Sequence, residues 1–375
     1  MDLDLGKYSI HVAAGWLVAG GFLTALLVTW VSIPTILKVA MSRGLYDRPN
    51  KRSSHKREIP TLGGMAVFAG FTIAVALFAG LFFPRELLFL FAGLIILFFI
   101  GIKDDILMID PVKKLLGQIV AAAIVVILGD IRMTGFYGFL GIWQIPYWAG
   151  VLFTIFVFVV VTNGINLIDG IDGLASGVGI LASVTFGVWF LLAGHAAYAV
   201  ISFSLAGSLI AFLRFNLSQG RHKIFLGDTG SLIVGLLLGV LAVRFMEYNR
   251  TVPEALRISS PVVVAFTVLI LPMIDTLHVF ILRIFRGRSP FEASRWHLHH
   301  RLLDLGLSHI RATGVLLSVN LLFILLAYGL QDLGDLPLLG IILGLALLLT
   351  LLSYGLIRLK RHKGHIPAGQ QALDV

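Results

Sequence analysis

Asn166, Asp169 and Asp172 recur at three-residue intervals within Asn163-Gly-Ile-Asn-Leu-Ile-Asp-Gly-Ile-Asp-Gly173, a polar run set in apolar sequence. On a helix this spacing places the side chains on adjoining faces. The glycines at 164, 170 and 173 let backbone or ligand approach closely. Carboxylates and amides in such surroundings are costly unless they are paired or put to chemical use. Two further acidic motifs lie at the ends of apolar runs: Lys103-Asp104-Asp105, followed by Lys113 and Lys114, and Phe225-Leu-Gly-Asp228-Thr-Gly-Ser231. Adjacent carboxylates repel, and a divalent cation or a nearby lysine holds both ionised. Asp228 has the chemistry of a hard oxygen ligand for Mg²⁺, which is usually held by one or two carboxylates plus substrate phosphates. The backbone amides beside it suit an anionic oxygen at a helix start.

A fourth motif, Trp296-His297-Leu-His299-His300-Arg301, has histidines at metal-like spacing, but the chain has no cysteine. Arg286, Arg288, Arg295 and Arg301 crowd it with positive charge, which favours a phosphate clamp over a zinc site. Plainer readings stand beside each motif. Asp104–Asp105 and the histidine segment can be solvated loops, and Asp172, Asp228 or Thr229 can be helix caps. Asp275, inside an apolar run, can be structural, paired with a neighbour such as His278.

The elements that must carry these motifs are membrane spans. Of 375 residues 58% are hydrophobic and 13% charged, with a mean hydropathy of +0.95; soluble domains carry about 25% charged residues. Uncharged runs predict an all-α polytopic membrane protein of eleven helices, near 12–33, 62–83, 87–102, 115–130, 148–164, 174–193, 197–213, 230–246, 260–281, 313–330 and 336–357. The stretch from Gly173 to Leu213 has no charged residue and must fold back, with Gly194-His195 as the turn. The N-terminus has no basic region before its first apolar run and no Ala-x-Ala site, which predicts a retained helix. No cysteine means no disulfide and no thiolate metal site.

The net charge of +9 gathers in a few loops, which argues against nucleic acid and for the positive-inside rule. With the N-terminus outside and the C-terminus cytoplasmic, the inner segments hold 23 of the 29 Lys and Arg residues. All four motifs then share the cytoplasmic face, as one assembled site within a single domain over 1–375. Carboxylates, a divalent metal and many basic groups suit phosphoryl transfer, where positioning and charge neutralisation do most of the work. A membrane location makes one substrate a lipid. A transporter of anionic glycolipids is the rival reading, but transporters favour midplane sites and repeats, and this chain shows no repeat. A purely structural subunit leaves the Asp clusters unexplained.

The four motifs, with the element Pro60-Thr-Leu-Gly63-Gly64, resemble in order and spacing the polyprenyl-phosphate N-acetylhexosamine-1-phosphate transferases of glycosyltransferase family 4. The resemblance implies transfer of a sugar-1-phosphate from a UDP-sugar to a polyprenyl phosphate in the bacterial inner (plasma) membrane, with release of UMP. Mg²⁺ is the implied cofactor, with Mn²⁺ as the alternative ion. It implies that Asn166 and Asp228 contact the metal and that Asp104 and Asp105 lie near the lipid phosphate, with Lys114 on the phosphates and Asp169 among the catalytic carboxylates. Phe225 would stack on uracil and Asp172 read its edge, with Asn163 also in the substrate site. His297, His299, His300 and Arg301 would hold the pyrophosphate, and Lys56 matches a basic position before the Pro-x-x-Gly-Gly element. The segment His297–Ser308 resembles the GlcNAc-1-phosphate branch that starts O-antigen, enterobacterial common antigen or teichoic acid linkage. It lacks the His-His-His-Phe-Glu of the muramoyl-pentapeptide branch. The expected donor is UDP-GlcNAc and the expected acceptor undecaprenyl phosphate, with another UDP-N-acetylhexosamine or UDP-MurNAc-pentapeptide as the alternative donor. A homodimer is compatible with the scaffold.

Overall fold

The computed structural model describes residues 5–46, 58–79, 84–285 and 298–362. The helices in chain order are α1 (Leu5–Arg43), α2 (Gly63–Phe78), α3 (Glu86–Leu107), α4 (Pro111–Ala123), α5 (Tyr147–Ile168), α6 (Leu174–Leu192) and α7 (Ala196–Asn216). They continue as α8 (Gly227–Tyr248), α9 (Pro261–Val268), α10 (Ile270–Phe285), α11 (Leu298–Asp304), α12 (His309–Gly329) and α13 (Asp335–His362). Among the described residues nine helical stretches are long and apolar enough to cross a bilayer, and a bent pair made of α9 and α10 would be a tenth. The remaining apolar run, 62–83, contains the 16-residue helix α2, with 80–83 outside the described residues. The chain is thus a multi-pass helical membrane protein.

The run expected as one helix over 260–281 breaks at Leu269, where its halves meet at 61°. Pro272 explains the break. It has no N–H to offer the carbonyl four residues back, and its ring crowds that position. The carbonyl in question, Val268 O, accepts instead from Asn320 Nδ2 at 3.5 Å.

One helix is enclosed by the others. The apolar window of α8 is 100% buried, against 28% for α1, α4 and α13 and 33% for α3. Small residues permit the enclosure, since in lipid close backbone approach replaces the hydrophobic drive between helices. A methyl group added to Gly235 would sit 2.5 Å from Thr162 Cα of α5, and one on Gly101 of α3 would sit 2.3 Å from Thr229 Cα. The peripheral spans turn side chains such as Phe99, Leu152 and Leu347 outward, a surface suited to lipid.

At one end of α3 and α8 a polar cluster is fully paired. Arg244 Nη2 lies 2.8 Å from Glu86 Oε2. Tyr198 Oη donates to Glu86 Oε1 at 2.5 Å and accepts from Arg244 Nε at 3.0 Å. A buried ion pair is tolerable when its remaining valences are met in this way. The acidic motifs lie at the opposite ends of the same helices.

Candidate active site

The site is assembled by a tight turn between α3 and α4. Met108 takes φ 50°, and Asp104 closes the bend by accepting from the Ile109 amide at 2.8 Å. Asp110 then caps α4 through the Val112 and Lys113 amides, with Pro111 in the first turn. One turn later Lys114 points back at the end of α3. Its Nζ lies 2.9 Å from Asp104 Oδ2 and 2.6 Å from Asp228 Oδ1, and donates to Asn166 Oδ1 at 3.3 Å. Asn166 Nδ2 in turn donates to Asp228 Oδ1 and to Ser231 Oγ, the latter at 2.8 Å. Residues from α3, α5 and α8 thus converge on the ammonium that α4 supplies.

Asp105 does something different from its neighbour. Its carboxylate accepts from the Asp228 amide at 2.7 Å, the Thr229 amide at 3.0 Å and Thr229 Oγ1 at 2.6 Å. Asp105 is therefore the cap of α8, a role that sequence alone offered to Asp228 or Thr229. The consequence is chemical. The first amides of α8 are already taken by a carboxylate, so an anion at this site must be held by cations rather than by that helix end. Asp105→Ala leaves these donors without their acceptor, at about 1–3 kcal/mol for each buried group left unsatisfied. Asp105→Asn keeps one acceptor oxygen, so it should retain more folded protein and more activity than Asp105→Ala, as read by thermal unfolding and turnover. Equal loss in the two would remove the cap assignment.

Only part of the polar run 163–173 is helical. α5 stops at Ile168, and Gly173, at φ +80°, turns the chain into α6 with its amide donating to Asn216 Oδ1 at 2.6 Å. Asn163 and Asn166 sit on the last turns of α5, whereas Asp169 and Asp172 lie in the turn that follows, so the helical facing expected of Asn166, Asp169 and Asp172 does not form. Asp172 does not cap α6, whose N-terminus has no side-chain cap. Asn163 exchanges hydrogen bonds with Gln118 of α4, Nδ2 to Oε1 at 2.6 Å and Nε2 to Oδ1 at 3.3 Å. Gln118 was not singled out from sequence, although it stands four residues after Lys114, on the same helical face.

Asp169 is crowded. Burial first, then the Asp228, Asp105 and Asp172 charges, push its carboxyl well above the usual range, with the Gly227 amide opposing. Asp172 goes the other way. Burial would raise it, but His309 beside it and the hydrogen-bonded Lys223 ammonium hold it below the usual carboxylate range. Its Oδ2 lies 2.5 Å from Lys223 Nζ and 3.4 Å from His309 Nδ1. Lys223 Nζ also stands 5.7 Å from the centre of the half-buried Phe225 ring, so Asp172, Lys223 and Phe225 form a second lobe of the site. Lys223 and His309 were likewise missed from sequence; the nearness of Lys223 to the Phe225 motif was the available signal.

The Pro60–Gly64 element braces this lobe from below. Phe225 N donates to Pro60 O at 2.8 Å, Gly63 N to Phe225 O at 3.0 Å and Gly64 N to Leu226 O at 2.8 Å. Gly227 follows at φ +71°, where a methyl group would lie 2.2 Å from Thr61 O. Only glycine meets both conditions.

Arg301 does not join either lobe; it is 5% exposed and contacts Tyr354 of α13. His299 and His300 lie on α11, but their side chains, with Lys56 and His297 entirely, fall outside the described residues. For a divalent ion the donor set fits. Two carboxylate oxygens and an amide oxygen already surround one cation. Among the described residues no three of His, Asp and Glu form a self-sufficient metal cage. A Mg²⁺ site of one or two carboxylates is usually completed by water and phosphate.

A sequence profile of glycosyl transferase family 4 matches residues 87–246, from the start of α3 nearly to the end of α8, which carry all these carboxylates. The fold and this match define the class, an integral membrane glycosyltransferase. A decaprenyl-phosphate N-acetylglucosaminephosphotransferase of Mycolicibacterium smegmatis is 32% identical over 77% of this chain and 76% of its own. A probable undecaprenyl-phosphate N-acetylglucosaminyl 1-phosphate transferase of Bacillus subtilis is 28% identical over 83% and 84%. An undecaprenyl-phosphate alpha-N-acetylglucosaminyl 1-phosphate transferase of Escherichia coli K12 is 28% identical over 79% of each chain. The chain belongs to this family of polyprenyl-phosphate N-acetylhexosamine-1-phosphate transferases.

Proposed function

We propose that the protein transfers GlcNAc-1-phosphate from UDP-GlcNAc to undecaprenyl phosphate at the cytoplasmic face of the bacterial inner membrane, releasing UMP and forming the first lipid-linked intermediate of an envelope polysaccharide. The convergence of Asp104, Asn166 and Asp228 on Lys114 carries this reading, because it is a cation-binding oxygen cluster at the end of an enclosed helix. The names of the relatives support the sugar; they include both decaprenyl and undecaprenyl acceptors, so prenyl length is a variable of the test. The excess of Lys and Arg in the sequence segments that alternate with the opposite side supports the cytoplasmic face.

In the reaction an oxygen of the lipid phosphate bonds to the β-phosphorus of the UDP-sugar. The bridge from that phosphorus to UMP breaks, and its electron pair leaves with UMP. Asp104, Asn166 and Asp228 would hold Mg²⁺ (or Mn²⁺), which supplies neutralising charge for the pyrophosphate oxygens. Lys114 is placed to balance the carboxylates and to meet a phosphate oxygen. Phe225 offers a face for the uracil, and Asp172, kept ionised by Lys223 and His309, offers an acceptor for its N–H edge. Direct attack by the lipid phosphate suits the geometry better than an aspartyl intermediate. Asp105 is committed to three donors and Asp104 to the Ile109 amide and Lys114. A phosphate oxyanion is already a nucleophile and needs placement more than activation.

Purified protein given UDP-GlcNAc and undecaprenyl phosphate, and decaprenyl phosphate in parallel, should release UMP and form a pyrophosphate-linked lipid only with Mg²⁺ or Mn²⁺ present. Turnover with a different UDP-sugar alone would replace the donor. UMP release unaffected by chelation would remove the metal, and no turnover with any UDP-sugar would overturn the reading.

A further inference from the structure

α11 has seven residues, too few to hold a helix by its own hydrogen bonds. Its first amide, Leu298 N, donates to Asp275 Oδ1 at 2.7 Å. Asp275 is on α10, just past the break in that span, and only 6% exposed. One helical turn after Leu298, Arg301 donates from Nη2 to Tyr354 Oη at 2.7 Å and lays its guanidinium 3.8 Å from the centre of the same ring. A desolvated guanidinium on an aromatic face is a strong contact, worth more than the same pair in water. The end of the helix is held as well, by Lys360 Nζ donating to Leu305 O at 2.6 Å. Tyr354 and Lys360 both belong to α13, the last span.

The surroundings sharpen these contacts. Asp275 and Arg301 share a cavity walled by Ile274, Val319, Phe323 and Leu349. Charges placed in apolar walls are fixed in position, because truncating one leaves the other uncompensated. Leu298 and Arg301, at i and i+3, lie on one face of α11, and His299 and His300 fall by helical position on others. The helix that follows is fastened to the second lobe of the site, with Thr313 Oγ1 donating to the Asp172 carbonyl at 2.7 Å.

We propose that Asp275, Arg301 and Tyr354 form a clasp that positions the histidine-bearing helix, so that the terminal span α13 takes part in the geometry of the reaction. The proposal rests on the reading of His299 and His300 as phosphate-holding groups. It makes Arg301 a positioning residue rather than a phosphate contact, and gives Asp275 a task as the anchor of α11. It also assigns α13, one of the least buried spans, a role in turnover.

Tyr354 tests the clasp best, since it is 42% exposed and meets Arg301 from another helix. Tyr354→Leu should lower kcat by roughly tenfold or more, as small misplacements of reacting groups do, with KM for both substrates within about twofold. Tyr354→Phe keeps the ring and should recover most of the rate. Asp275→Asn, which keeps an acceptor oxygen, should likewise recover rate lost in Asp275→Ala. A second readout is independent of activity. The chain has no cysteine, so Leu302→Cys gives a single thiol on α11. Its labelling by a maleimide in proteoliposomes should quicken in the Tyr354→Leu and Asp275→Ala backgrounds and stay slow with Tyr354→Phe. Unchanged labelling in the first two backgrounds would overturn the clasp. So would faster labelling with no change in kcat. If the unaltered protein turned over no UDP-sugar, the labelling would still decide the clasp while the functional reading fell separately.

Discussion

Asp228→Ala is expected to lower turnover by at least about 10³-fold, the scale on which removal of a charge-stabilising group slows phosphoryl transfer, while leaving a protein that folds and extracts normally. Asp228 Oδ1 is where Lys114 and Asn166 meet, so its loss empties the centre of the oxygen cluster and leaves Lys114 with Asp104 and the Asn166 amide oxygen. The fold should survive because the contacts that seat α8 here are made by backbone. Asp105 holds the amides of residues 228 and 229, and those amides remain in the alanine variant. Asp228→Asn separates charge from geometry: it keeps an oxygen toward Lys114 but loses the carboxylate, and its activity should fall nearly as far. The measurement is UMP release at saturating substrates beside a size-exclusion profile. Near-normal activity in either variant would remove Asp228 from the reaction.

The largest loss of folded protein is expected from Gly64→Ala. A methyl group there would lie 2.1 Å from Gly230 N and 2.5 Å from Gly230 Cα, and the obstacle is main chain that no rotamer change can clear. Overpacking of this kind costs about 3 kcal/mol, here with the added loss of alignment between Gly64 N and Leu226 O. Gly340→Ala in α13 is the control, since nothing lies within 4 Å of its added methyl group. It should leave the thermal midpoint unchanged or raise it slightly, as alanine favours helix over glycine. A Gly64→Ala protein as thermostable as the parent would mean that α2 and α8 are not in such close contact.

The helices were legible because hydropathy is a local property: each apolar run corresponds to a helix or to the bent pair. The bend was legible in principle, since Pro272 stands in the run, yet its place depends on Asn320 receiving the freed carbonyl, 52 residues away. The membership of the acidic cluster was read from motifs, but the division of labour within it was not. Asp104 and Asp105 are adjacent in sequence, and only the fold decides that one faces Lys114 while the other caps a helix 123 residues on. Side chains one peptide apart on a helix point about 100° apart, so a doublet of like residues is two different positions. Arg301 teaches the same lesson. Its place in a basic motif is read along the chain, but its burial against Tyr354 follows from where the last span packs.

The enclosure of α8 has a mechanical consequence. No lipid lies along the helix that carries Asp228, so hydrophobic mismatch with a thicker or thinner bilayer reaches it only through its neighbours. Lipid-facing spans meet mismatch by tilting, at fractions of a kcal/mol per Å. α13 has most of its surface free to do so, but α3 is locked to α8 where Gly101 meets Thr229 and where Asp105 grips the first amides. Tilt is therefore absorbed at the rim of the bundle, and the spacing of Asp104 from Asp228 belongs to the protein rather than to the membrane around it.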